Sequence, residues 1–212
     1  DDTLSRYRGC DVSFHCEDPE LLERNRQAAR HEDRRPPECE LSATKFALAM
    51  IEKYELRGKL CHYSVGEGLP LIREAKRQGL PVTCEVTPHH LYYDLSQVTD
   101  DNRPLMQMNP PLRTLNDRLA MIDALRDGTL DYLATDHAPH TLAEKAKGVS
   151  GQPHLDTYGP FVTWLLLEQH FTPQQVARFC CENPGHFVNP YSKPRKFGKI
   201  EAGYTASLTV LN

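Results

Sequence analysis

Four times along this chain a short β-rich run ends in a polar tip and gives way to a stretch with helical spacing. That rhythm restricts the fold more than any other feature. The runs lie at 10–14, 59–61, 81–86 and 130–134. Their tips read His15-Cys16-Glu17-Asp18, His62-Tyr63-Ser64, Thr87-Pro88-His89-His90 and Thr135-Asp136-His137-Ala138-Pro139-His140. Strands alternating with helices predict an α/β protein with a parallel sheet. In such a sheet all the strands end on one face, and chemistry is built there.

The helical stretches carry their own punctuation. Ser42 is expected to cap a helix with Phe46, Ala47, Met50, Ile51 and Tyr54 on one face and Gly58 at its exit. A second helix starts near Pro70, turns Leu69, Ile72 and Ala75 inward, and stops at Gly79. The prolines of Asn109-Pro110-Pro111-Leu112-Arg113 fix φ and predict a stiff loop. Thr114 and Asp117 form a capping-box pattern before a stripe of Leu115, Leu119, Ile122 and Leu125, ended by Gly128. An apolar helix around 161–168 follows, and Thr172, Pro173 and Gln175 announce another. A turn at 198–204 leads into a strand expected over 207–211.

Charge and composition exclude several classes. With 29 acidic and 25 basic residues the formal charge is −4, so there is no basic excess to neutralise a nucleic-acid backbone. The longest apolar stretch, 162–167, is broken by Thr163 and falls far short of the roughly 20 residues a membrane helix needs. The opening Asp1-Asp2-Thr3-Leu4-Ser5-Arg6 has no apolar segment of the secretory kind. Seven cysteines, odd in number and without a C-x-x-C pair, point to reduced thiols and a cytoplasmic setting.

The tips suggest the chemistry. His15, His62 and Asp136 stand at strand ends, and imidazole with carboxylate suits Zn²⁺ first among divalent ions. No local metal signature is present, so the fold would have to assemble these ligands. Asp136 suits general acid/base work beside a metal; it equally suits an Asx cap of the following turn. Asn109 offers a donor and an acceptor for a ring amide or a carboxylate, or is a turn residue before proline. His89 and His90 are expected to support the site rather than ligate. His31, His154, His170 and His186 are expected in solvent. Cys16 follows His15 directly, and neighbours in an extended chain point to opposite faces, so a thiol–imidazole pair is not expected. The chain has no nucleophile elbow, P-loop or dinucleotide fingerprint.

Phe14-His15-Cys16-Glu17-Asp18, Glu85-Val86-Thr87-Pro88-His89-His90-Leu91, Asn109-Pro110-Pro111-Leu112-Arg113 and Ala134-Thr135-Asp136-His137-Ala138-Pro139-His140 with Glu144-Lys145 occur in the order and at separations that resemble the dihydroorotases. The resemblance runs from about Cys10 to the end. It implies the C-terminal half, strands 5–8, of an amidohydrolase-type (β/α)₈ TIM barrel over 1–195, with the start of a small β-subdomain over 196–212. It implies reversible cyclisation of N-carbamoyl-L-aspartate to L-dihydroorotate in pyrimidine biosynthesis. His15 and His62 match zinc ligands, Asp136 a ligand that also shuttles a proton, and Asn109 and His140 substrate contacts. The family's His-x-His pair and its strand-4 metal-bridging residue have no counterpart here. Gln107 stands for a common Lys, and Ser207 for a common Asp.

The chain is therefore expected to be part of a dihydroorotase, inactive alone and holding at most one zinc, where the whole subunit holds one or two. Open sheet edges predict association, as a homo-oligomer or with another pyrimidine-pathway enzyme. The alternatives are a non-catalytic dihydroorotase-like partner protein and another cyclic amidohydrolase: dihydropyrimidinase, hydantoinase or allantoinase.

Overall fold

A computed structural model describes residues 3–210. Four parallel strands form the centre: β1 (Asp11–Phe14), β2 (Arg57–Leu60), β3 (Val82–Val86) and β4 (Tyr132–Leu133), in the order β1-β2-β3-β4. Register pairs Phe14 with Leu60, Leu60 with Cys84, and Val86 with Leu133. Between the strands run α1 (Pro19–Asn25), α2 (His31–Arg34), α3 (Pro37–Tyr54), α4 (Leu69–Arg77), α5 (Pro88–Tyr92) and α6 (Leu115–Asp127). After β4 come α7 (Leu142–Lys145), α8 (Tyr158–Leu167), α9 (Pro173–Ala177), a π-helical turn Arg178–Glu182 and α10 (Asn183–Val188). No helix among the described residues is long and apolar enough to cross a membrane.

The core lies between sheet and helices, where Ile51, Leu56, Leu60, Ile72, Cys84, Val86, Leu125 and Leu165 are buried. Leu69, Ile72 and Ala75 of α4 face inward as expected. The capping boxes of α6 (Thr114, Asp117) and α9 (Thr172, Gln175) form with both reciprocal bonds. These caps were legible because they satisfy backbone N–H groups that no helix can satisfy for itself.

Other local expectations are corrected. Helix α3 begins at Pro37, where proline suits the first turn, and Ser42 lies inside it, donating to Asp18 Oδ2 at 2.6 Å. The longer helix turns Cys39, Glu40, Thr44, Ala47, Met50 and Ile51 inward and leaves Phe46 exposed. It ends on Glu55 in a left-handed conformation (φ 51°), not on Gly58. Gly58 sits instead in β2, pressed against α3: a Cβ there would lie 2.6 Å from Ile51 Cγ1. In α6 the inward face is Met121, Ile122, Ala124 and Leu125, while Leu115 and Leu119 are exposed. No strand forms over 207–210, because no neighbouring strand among the described residues offers it backbone partners; Leu211 lies outside the described residues, as do Asp1 and Asp2.

Gly58→Ala is expected to cost about 1–3 kcal/mol, the range for overpacking a close contact, read as a lower urea midpoint at unchanged slope. An unchanged midpoint would show that α3 and β2 do not approach this closely.

Candidate active site

The strand ends converge as the rhythm predicts. His15 follows β1 directly and His62 follows β2 by two residues, with φ of 36°. His15 Nδ1 lies 3.0 Å from His62 Nε2, the rings edge-on with centroids 4.8 Å apart. His15 Nε2 lies 2.9 Å from Glu17 Oε2. An ionised carboxylate only accepts, so the ring proton sits on Nε2 and Nδ1 keeps its lone pair. Arg35 Nη1 donates to the same Glu17 oxygen at 2.5 Å. Burial alone would raise the Glu17 carboxyl, but the His15 hydrogen bond and the Arg35 guanidinium outweigh it and hold it below its ordinary range. His62 is buried; desolvation, with His15 beside it, pushes its pKa down to about 4. Its Nδ1 has no hydrogen-bond partner.

Asp136 does not join this pair as a third close ligand. Among the described residues no three His, Cys, Asp or Glu side chains stand together as an ion-holding group. Strand β4 stops at Leu133, and the chain reaches Asp136 through a left-handed turn (φ 44°). The carboxylate feels the charges of His15 and His154, and burial raises its pKa. An imidazole pair at 3.0 Å nevertheless fits a shared tetrahedral ion, whose nitrogen ligands at about 2.0–2.1 Å would stand roughly 3.4 Å apart. The carboxylate on the far ring nitrogen of His15 is the usual companion of a ligating histidine.

A buried polar chain braces the site from behind. Glu40 is 1% exposed and accepts from Ser64 N at 2.9 Å and from the Ser64 hydroxyl. Arg113 donates to Ser64 Oγ at 3.1 Å and to the Arg35 carbonyl at 2.6 Å, and its Nη2 lies 3.5 Å from Glu40 Oε2. Desolvation pushes the Glu40 pKa up to about 7 against the pull of Arg113.

The other histidines form a second tier. His89 Nδ1 lies 2.8 Å from His154 Nε2 on a stacked ring, and His154 N–H donates to His137 Nδ1 at 3.0 Å. His90 links Thr87 Oγ1 (2.8 Å) to the Pro110 carbonyl (3.2 Å). His89 and His90 are both buried among these contacts. His31 and His154 are not in solvent: His154 is buried and His31 half-buried, its Nε2 2.9 Å from the Met108 carbonyl. His170 and His186 are exposed. Asn109 presents a buried Oδ1 with no partner. His140 lies over Gly151, where a Cβ would meet Ala138 O at 2.6 Å and His140 Cδ2 at 2.9 Å. Cys16 Sγ turns to the Phe14 carbonyl and burial drives its thiol pKa up, so it is no nucleophile. All seven cysteines are unpaired.

No family model matches the chain. It is 36% identical to the dihydroorotase of Brevibacillus brevis over 96% of its own length and 50% of that relative. It is also 36% identical to the dihydroorotase of Geobacillus thermodenitrificans, over 100% of its own length and 51% of the relative. The chain belongs to the dihydroorotase family. It spans about half the length of the curated relatives it matches. Its fold matches dihydropyrimidinase from Brevibacillus agri with a TM-score of 0.85 at 23% identity, over 96% of this chain and 48% of that one. D-hydantoinase from a Thermus species matches with a TM-score of 0.85 at 24% identity, over 97% and 49%. The architecture is therefore about half of an amidohydrolase barrel, in agreement with the four-strand repeat.

Sequence reasoning missed Glu17, Arg35, Glu40 and Lys145. Glu17 had a signal: residues two apart in an extended segment share a face, which sets it beside His15. The others are joined by contacts between distant segments that no local pattern records.

His31, His62, His89, His90 and His154 all have folded pKa values below their ordinary value, because burial disfavours the imidazolium. A depressed pKa gives stability that is full above pH 6.5 and lost as pH falls, through about 4 for His62 and about 3 for His90. Glu40 has the opposite sign, its contribution falling as pH rises from 4.5 to about 7. Asp131 and Asp136, whose carboxyls burial also raises, share the sign of Glu40; five imidazoles outweigh these three carboxyls, so the urea midpoint is expected to fall from pH 7 to pH 4. A midpoint that rises over that interval would contradict the burial of these rings.

Proposed function

We propose that this chain supplies a zinc-holding and substrate-reading part of a dihydroorotase, interconverting N-carbamoyl-L-aspartate and L-dihydroorotate in cytoplasmic pyrimidine synthesis. The observation that carries the reading is the approach of His15 Nδ1 to His62 Nε2 at 3.0 Å, with Glu17 holding the far nitrogen of His15. His15 and His62 would hold the ion, at most one in this chain, with Asp136 nearby. Zinc, when bound, would supply Lewis acidity at the carbonyl under attack.

The chain's own groups carry the rest. In ring opening, water adds to the ring carbonyl carbon and the C–N bond breaks. Asp136 accepts the proton that water loses and returns it to the departing nitrogen; in ring closure the same proton travels back. Burial raises the Asp136 carboxyl above its ordinary value, which favours its protonated form as a donor. Asn109, with its bare Oδ1, and His140 orient the substrate. Activity belongs to the longer polypeptide, with 196–212 beginning its β-subdomain and with a homo-oligomer or another pathway enzyme covering the sheet edges. A dihydropyrimidinase- or hydantoinase-type amidohydrolase is the second reading, favoured by the fold likeness.

The 212-residue chain is expected to bind up to one zinc per chain by metal analysis and not to turn over dihydroorotate. His62→Ala is expected to abolish zinc binding, and Glu17→Gln to weaken it about 10–100-fold, the usual effect of losing such a carboxylate. Unchanged stoichiometry in His62→Ala would reject the ligand assignment. Two zinc ions with ordinary turnover would reject the incomplete site. Preference of the longer polypeptide for dihydrouracil over dihydroorotate would favour the second reading.

A further inference from the structure

The segment 107–110 has an unusual hydrogen-bonding problem. Met108 and Pro110 are buried, and Pro110 and Pro111 have no N–H to trade in a ladder. Buried carbonyls still need donors. Apart from the Gly151 N–H on Gln107 O, they take them from side chains on three separate helices. The Lys145 ammonium of α7 donates to Gln107 O at 2.8 Å, His31 Nε2 of α2 to Met108 O at 2.9 Å, and His90 Nε2 of α5 to Pro110 O at 3.2 Å. A carbonyl only accepts, so both imidazoles carry their proton on Nε2; the Thr87 hydroxyl then donates to His90 Nδ1. In the middle stands Asn109, whose buried Oδ1 has no partner.

Lys145 does more than fill one carbonyl. It is 5% exposed, and its amine also donates to Gly151 O at 2.9 Å. Gly151 is the residue over which His140 lies. The ammonium therefore reinforces a backbone tie, Gly151 N–H to Gln107 O at 3.0 Å, between the Asn109 loop and the backbone beneath His140. Leaving a lone amide oxygen buried is unfavourable, and Asn109 can be kept so only if its backbone cannot turn away.

We infer that Lys145, with His31 and His90, is a positioning residue: the three side chains clamp the carbonyls around Asn109 and set its distance from His140. The inference rests on the reading of Asn109 as a substrate contact and names what holds it there.

The test compares Lys145→Met, which keeps length and loses the donors, with Lys145→Arg, which keeps donors. One readout is the ¹⁵N order parameters of Met108 and Asn109; the other is the affinity of the chain for N-carbamoyl-L-aspartate. Lys145→Met is expected to lower the order parameters from about 0.85 to below about 0.6 and weaken the ligand roughly tenfold, with Lys145→Arg restoring most of both. His31→Ala, which removes only the Met108 bond, is expected to lower the same order parameters by a smaller step and serves if Lys145→Met does not fold. Unchanged order in the loop overturns the clamp. A loosened loop with unchanged affinity leaves the clamp standing and removes Asn109 as a substrate contact. Loss of affinity in Lys145→Arg equal to that in Lys145→Met overturns the role of the donors.

Discussion

Parallel pairing is the constraint on which everything else depends. Because β1 to β4 run the same way and pair in register from Phe14 to Leu133, the chain leaves each strand on the same side of the sheet. Four polar tips far apart in sequence then have nowhere to go except toward one another. His15 and His62 are 47 residues apart, yet their ring nitrogens meet at 3.0 Å because Phe14 pairs with Leu60. An antiparallel arrangement would send alternate tips to opposite ends and dissolve the site.

Convergence alone does not set protonation, and here charge and burial finish the work. Glu17 decides which nitrogen of His15 keeps its lone pair, and Arg35 keeps Glu17 ionised although it is buried. Arg113 in turn grips the Arg35 carbonyl and faces Glu40, so the support reaches back into α3. Buried charge is costly unless paired. The pairing here favours a single arrangement of the His15 side chain, and the orphaned nitrogens of His62 and His89 mark where the protein leaves polar groups unsatisfied.

The legible part of the fold was what local physics dictates. Strand runs, the caps at Thr114 and Thr172, and the inward face of α4 follow from short-range spacing and unsatisfied helix termini. Helix phase was harder: α3 starts five residues before Ser42, and its buried face of Cys39, Glu40, Thr44, Ala47, Met50 and Ile51 leaves Phe46 outside. In the site, the residues at strand ends were found because topology places them. Asp136 follows β4 in a left-handed turn, and no three-residue ion-holding group forms with it among the described residues. Lys145 and His31 were invisible as supports, since their partners are carbonyls 38 and 77 residues away.

The central claim is that His15 and His62 share one ion through the nitrogens that face each other. X-ray absorption fine structure of the zinc-loaded chain tests it most directly. The expected spectrum has a nitrogen/oxygen first shell at about 2.0–2.1 Å with outer-shell scattering from two imidazoles. A sulfur shell at about 2.3 Å, or a first shell without imidazole scattering, would contradict it.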